Sequence, residues 1–324
     1  MEPWSWRFNR CAQALRWLPF TLSLTGCAAT VPSLRLGVSV EPWSEQGLNG
    51  RRLVTEHFEI ISTLHDAEFE AALPGFLEAA YKRYYATLPL PARPNAKLTT
   101  HVFATRSEWL RYVQRRFPAR YDIYARIWSG GFTEGDTSVS FYVDRSATLA
   151  TLAHEGWHQY VGSRLEAAIP AWLNEGLACY HEAVEFTSTE PKFAPQHNTF
   201  RVNALRKALQ TDKLMALAEI VATDAGPVIR RHDRRIANLY YAQAWALVTF
   251  LRHGASGRFS GAFDTMLSDI ADGTLGIKVS ATRLGASNGA SLSLGEAAFR
   301  AYFGFPPDDL EDQYYDHLVR ICRF

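Results

Sequence analysis

The segment Thr151-Leu152-Ala153-His154-Glu155-Gly156-Trp157-His158-Gln159-Tyr160 constrains this chain more than any other stretch. On an α-helix, residues four apart lie about 40° apart around the axis and about 6 Å along it. His154 and His158 therefore present both imidazoles to one side. Glu155 falls on an adjoining face, where its carboxylate meets a water rather than an ion held by the histidines. Imidazole nitrogens suit Zn²⁺, and a catalytic zinc takes three protein ligands while keeping a fourth position open. A second element must then return to the first. Pro170-Ala171-Trp172-Leu173-Asn174-Glu175-Gly176-Leu177-Ala178 begins a second helix with proline in its first turn and brings Glu175 17 positions after His158. The spacing leaves room for a loop near residues 166–169. Gly176 is costly inside a helix, and close packing of this helix against the metal helix is the expected compensation. His154, His158 and Glu175 are the candidate metal ligands, and Glu155 is the candidate general base.

The run His154-Glu155-x-x-His158-Gln159-Tyr160-x-Gly162, followed by Trp172-Leu173-Asn174-Glu175-Gly176-Leu177-Ala178, resembles the gluzincin metallopeptidases. It is similar to their zinc aminopeptidases and closer still to the shorter peptidase-MA-like domains of bacterial envelope proteins. The resemblance covers residues 154–178 and is thin elsewhere. It implies an α+β, zincin-like fold, with a small mixed β-sheet lobe carrying the active-site helix and a mostly helical lobe behind it. It also implies Zn²⁺ as cofactor and a peptide or protein as substrate. A metzincin would need Gly at 161 and His at 164, where this chain has Val161 and Arg164.

Further features follow from the same resemblance. Gluzincins often carry a tyrosine on a later helix that donates to the oxyanion. Tyr240-Tyr241-Ala242-Gln243-Ala244-Trp245-Ala246-Leu247-Val248 resembles that segment, with Tyr241 aligning best and Tyr240 as alternate. The other reading of Tyr241 is a core aromatic on an amphipathic helix. Gly131-Phe132-Thr133-Glu134-Gly135 loosely echoes the aminopeptidase segment that binds a free amino terminus, but a plain loop before an edge strand is the favoured reading. In related folds an edge strand pairs with extended substrate, and residues 138–143 are expected in that position. Thermolysin-like relatives orient a metal histidine with an Asp four residues after the ligand Glu. Here that residue is Cys179, so a backbone carbonyl or another acid must serve. The alternative to a peptidase is a non-catalytic zinc-binding envelope lipoprotein with an interaction or assembly role.

The N-terminus reads as an address. Arg7, Arg10 and Arg16 precede a short apolar run over 17–26, too short to span a bilayer as a helix, which needs about 20 residues. The run ends Leu24-Thr25-Gly26-Cys27, similar to a bacterial lipobox. Residues 1–26 are then a lipoprotein signal peptide and Cys27 the lipid-anchored first residue of the mature chain. Ala28 at the next position favours the outer membrane, facing the periplasm. A formal charge of +1 offers no basic excess for nucleic acid. Cys179 and Cys322 remain; two buried free thiols are favoured over a disulfide.

Residues 27–50 read as a tether and 51–324 as one domain, divided into a β-rich part with the active-site helix (51–163) and a helical part (164–324). Apolar periodicity predicts strands over 57–62, 98–103 and 138–143, and helices over 67–87 and 106–117. Helices follow over 147–163, 171–184, 199–210, 236–253, 258–270, 291–302 and 307–321. His181, six positions after Glu175 and so about 240° around the helix, faces away from it and reads as non-ligating; His57, His65, His101, His197, His232, His253 and His317 have no motif context and read as surface or core residues.

Overall fold

The computed structural model describes residues 37–91, 96–127, 130–186, 191–223, 234–285 and 292–323. The expected signal peptide, Cys27 and the first part of the expected tether lie outside the described residues. The rest of the tether reading is corrected. Strands β1 (Ser39–Glu45) and β2 (Leu48–Val54) form an antiparallel hairpin, so residues 39–50 belong to the folded body. Gln46 and Gly47 join them with φ of 55° and 78°, a turn whose twist matches that of paired strands. The sequence hid this hairpin because β1 is mostly exposed and shows no alternation, while Leu48 and Leu53 are buried on β2.

Strand β3 (Phe58–Ser62) pairs antiparallel with β2 and parallel with β4 (Leu98–Phe103). Helix α1 (Ala67–Thr87) makes the crossover that a parallel pair requires. Helices α2 (Arg106–Arg116) and α3 (Tyr121–Tyr124) lead to β5 (Gly131–Glu134), which turns through Gly135 into β6 (Thr137–Phe141). The sheet order is β1-β2-β3-β4-β6-β5. The expectation that residues 138–143 form the edge is corrected, because β6 lies between β4 and β5. The segment 131–135, expected as a loop, supplies the edge strand. Gly131 makes this pairing close: a β-carbon there would stand 2.8 Å from the Val139 carbonyl oxygen.

Alternation along the strands builds two cores. Phe58, Ile60, Leu98 and Val102 pack beneath α1 and α4 (Arg145–Gly162). Phe103, Val139 and Phe141 pack beneath α2, through Trp109, Tyr112 and Val113.

Behind the sheet the chain is helical, apart from a small antiparallel pair, β7 (Val184–Phe186) and β8 (Pro191–Phe193). The helices are α5 (Ala171–Tyr180), α6 (Thr199–Gln210), α7 (Leu217–Ala222), α8 (Arg234–His253), α9 (Ser260–Ala271), α10 (Leu275–Gly285), α11 (Leu294–Phe303) and α12 (Glu311–Cys322). The architecture is α+β, with the mixed sheet first and the helices after it. Among the described residues no helix is long and apolar enough to cross a membrane.

The helix expected over 171–184 stops at Tyr180, and the chain enters β7. Neither α7 nor α10 is evident from periodicity. The first has six residues, too few to display a period, and the second exposes Ile277 and Leu284. The expectation for Gly176 is also corrected. Its helix packs closely on α8 at Ala244 and Val248, rather than on α4 at this point. A β-carbon at Gly176 would lie 2.5 Å from the Ala244 carbonyl oxygen and 2.6 Å from Val248 Cγ2.

Candidate metal centre

Helix α4 is capped at its start and held against the sheet, α1 and α5. Its N-cap, Asp144, accepts from the Ala147 amide at 2.7 Å. Gln159 donates to the carbonyls of Thr99 and Asp136, at 2.7 and 2.8 Å, and so fixes the helix to the sheet. The Tyr160 hydroxyl donates to the Leu88 carbonyl beyond the end of α1. The Trp157 indole donates to Asn174 at 2.9 Å, tying α4 to α5 one residue before Glu175. Gly156 lets α1 approach: a β-carbon there would meet the Tyr84 hydroxyl at 2.6 Å. That hydroxyl donates to the Ala153 carbonyl beside His154.

These restraints bring three ligand atoms together. His154 Nε2 and His158 Nε2 are 3.2 Å apart. Glu175 Oε2 lies 3.4 Å from the first and 3.3 Å from the second. A tetrahedral zinc with bonds of about 2.05 Å separates its ligand atoms by about 3.3 Å. His154, His158 and Glu175 therefore form a group that can hold a metal ion. Glu175 Oε2 is buried and has no hydrogen-bond partner, an expensive condition for a carboxylate unless a cation faces it. Burial pushes Glu175 up, but His158 and His154 outweigh it and hold the carboxyl well below its ordinary range. The immediate surroundings contain the carboxylates of Glu155, Glu175 and Glu182 against the guanidinium of Arg201.

Glu182 is the acid that replaces the expected Asp. Its Oε1 lies 2.8 Å from His154 Nδ1 and accepts from it, which leaves Nε2 facing Glu175 and His158. Cys179 contributes only a contact of 3.8 Å between its sulfur and the same nitrogen. Glu182 is buried and fully engaged. Arg201 Nε donates to Oε2 at 2.8 Å, Arg201 Nη2 donates to Oε1, and Asn198 Nδ2 donates to Oε2 at 2.9 Å. Burial pushes its carboxyl up, and Arg201 and His154 pull it down further, to about 2. Sequence reasoning missed Glu182, Asn198 and Arg201. A signal existed: Glu175, Cys179 and Glu182 follow at i, i+4 and i+7, the spacing of one helical face.

Glu155 is buried beside the triad, and its Oε2 accepts from the Thr133 hydroxyl at 2.8 Å. Thr133 also lies 3.0 Å from the Glu155 carbonyl oxygen. Glu155 is thus tied to edge strand β5, another link not foreseen. Glu134, next along the strand, is bound instead by Arg120 at 2.6 Å and by the Tyr124 hydroxyl. Adjacent strand residues point to opposite faces, so Glu134 is directed away from Glu155.

Tyr241 is half-buried, with its ring centroid 5.9 Å from that of His154. Burial first, then Glu175, Cys179 and Glu155, push its phenol well above the ordinary value. It stays protonated and can donate. The alternate, Tyr240, is fully buried and donates to the Thr223 carbonyl at 3.1 Å, a tie within the helical core. Cys179 and Cys322 are both free thiols, with Cys179 buried and Cys322 half-buried. A cavity of about 820 Å³, lined by Trp43, His101, Tyr112, Arg116 and Asp136 among others, opens on the opposite face of the sheet and includes no member of the cluster. Of the remaining histidines, His57 joins Glu56 and Glu78 in a group of metal-ligand type. Glu78 there already binds Thr55, the His57 amide and the His57 ring, which ties β3 to α1.

Residues 148–266 match a family described as a protein of unknown function (DUF1570). The match runs from α4 into α9 and contains His154, Glu155, His158, Glu175, Glu182, Arg201 and Tyr241, while Thr133 lies outside it. No curated protein and no solved structure matches the chain.

Proposed function

We propose that this chain is a zinc-dependent peptidase of the gluzincin type, with a zincin-like arrangement of edge strand, metal helix and glutamate helix. The observation that carries the reading is the triangle of His154, His158 and Glu175 ligand atoms, 3.2–3.4 Å on a side. Its carboxylate oxygen is buried and otherwise unpartnered. These three residues would hold the ion, and a bound Zn²⁺ supplies Lewis-acid polarisation of a carbonyl and a lowered pKa for water.

The chain's own residues supply the rest. Glu155, oriented by Thr133, accepts a proton from the attacking water and returns it to the leaving amine. The Tyr241 hydroxyl donates to the oxygen that gains charge as the carbonyl carbon becomes tetrahedral. Glu182 holds His154 in the tautomer that leaves Nε2 free to ligate. Strand β5 runs beside Glu155 with its outer edge unpaired among the described strands, which suits an extended peptide or protein segment laid along it. The N-terminal residues extend the proposal to a lipid anchor at Cys27 and a place in the cell envelope, with peptide rather than nucleic acid as the partner.

The test combines metal analysis with a peptide-library digest. The purified protein should carry close to one zinc per chain and cleave library peptides in a chelator-sensitive manner. Glu155→Gln should keep the zinc and lose cleavage by at least about 100-fold, the scale of a lost general base. Full hydrolysis by Glu155→Gln, or wild-type protein without zinc, would overturn the proposal.

A further inference from the structure

Arg201 sits in the first turn of α6, is 7% exposed, and uses every side of its guanidinium. One edge grips Glu182 through Nε and Nη2. Nη1 donates to Asn238 Oδ1 at 3.0 Å on α8. Its carbon lies 5.6 Å from the centroid of the Tyr241 ring, within reach of a cation–π contact. Asn238 and Tyr241 are three apart on α8 and share a face. Asn198, the N-cap of α6, accepts from the Arg201 amide at 3.2 Å and donates to Glu182 and to the Cys179 carbonyl. The start of α6 is therefore a clamp with two outputs: the His154 ring through Glu182, and the Tyr241 ring through the guanidinium face.

We infer that Arg201 is a positioning residue that couples the metal ligand His154 to the proposed oxyanion donor Tyr241, an inference that rests on the zinc-peptidase reading. Arg201 touches both Glu182 and Tyr241, as His154 itself does, and the two rings it serves stand 5.9 Å apart. Lysine cannot replace it. An ammonium has no planar fork for the carboxylate and no flat face for the phenol ring.

The experiment uses Arg201→Lys, Glu182→Gln and Tyr241→Phe in the full chain. Zinc affinity is read by chelator competition, and coordination by the visible spectrum of the Co²⁺-substituted protein. Arg201→Lys and Glu182→Gln should each weaken zinc by about 10–100-fold and alter the Co²⁺ spectrum, and the two together should lose little more than either alone. Tyr241→Phe should leave zinc affinity at the wild-type value. At saturating zinc, with a peptide selected by the library digest, Arg201→Lys should lower kcat more than Glu182→Gln does. Tyr241→Phe should then cost less in the Arg201→Lys background than in wild type. If thermal melts show that Arg201→Lys does not fold, the pair Glu182→Gln with Arg201→Met removes both buried charges together and should show the same zinc loss. Wild-type zinc affinity and an unchanged Co²⁺ spectrum in Arg201→Lys, or in that pair, would overturn the inference while leaving the peptidase reading intact. So would strict additivity of Arg201→Lys with Tyr241→Phe in kcat. A wild-type protein that binds no zinc would overturn both.

Discussion

Replacing Gly176 by alanine tests whether the contact of α5 with α8 sets the metal site. The new β-carbon would stand 2.5 Å from the Ala244 carbonyl oxygen and 2.6 Å from Val248 Cγ2, whereas ordinary contact begins at 3.4 Å. Valine can rotate, but the carbonyl belongs to a helix backbone and cannot. Relief requires α5 to retreat by about 0.9 Å, the difference between contact and overlap. Metal ligation tolerates errors of only about 0.2 Å. The stability balance has two opposing parts. Alanine gains about 1 kcal/mol of helix propensity over glycine, and overpacking a tight contact costs about 1–3 kcal/mol. The net effect on the metal-free protein is then about 0–2 kcal/mol of destabilisation. The effect on zinc is larger in proportion, because Glu175 is the residue immediately before the substitution and moves with it. Chelator competition should show zinc weakened by at least about tenfold, with urea unfolding of the metal-free protein shifted only modestly. Gly261→Ala is the control: nothing lies within 4 Å of the point a β-carbon would occupy there, so it should leave zinc binding unchanged. Wild-type zinc affinity in Gly176→Ala would refute the claim that this contact positions Glu175.

Two further outcomes are expected. Tyr241→Phe should lower kcat by about 10²-fold, as loss of one oxyanion donor does, with KM nearly unchanged, and an unaltered kcat would remove Tyr241 from the chemistry. Stability of the metal-free protein should fall with acid. Burial lowers His101 and His317 to about 4 each, against about 6.5 in an unfolded chain. Between those values the unfolded state binds protons that the folded state does not. This contribution is therefore complete above pH 6.5 and lost as pH falls toward 4, at about 2 kcal/mol per histidine by pH 5. Urea midpoints in chelator that do not fall between pH 7.5 and pH 5 would contradict it.

The convergence of the candidate ligands His154, His158 and Glu175 was legible because its geometry is local. Two histidines one turn apart must share a face, and a proline-started helix had the length to bring Glu175 back. The helices over 67–87 and 199–210 were legible for the same reason, since a sustained period marks an amphipathic face. What the sequence concealed depends on distant partners. Strand β1 has no buried alternation to betray it, and β5 is only four residues long. Thr133 is one threonine among many until the sheet order brings it to Glu155. Glu182 stands just past the end of its helix, and its meaning comes from Arg201, 19 positions later. The partner of Gly176 was misassigned because a helical glycine announces a close neighbour without saying which one.

The two outer strands of the sheet differ in what they offer a newcomer. On β1, Pro42 lacks an amide hydrogen, and Glu41 and Glu45 place charge along the rim. Natural sheets use such features to discourage further pairing. Strand β5 carries no proline and presents its amides and carbonyls beside the carboxylate of Glu155. Growth of the sheet is thus one-directional. On the proposed peptidase reading, a chain that pairs along β5 lies beside Glu155, while the proline and charges of β1 discourage the same docking. Resistance to further pairing and openness to it are thus the two ends of one hydrogen-bonded surface.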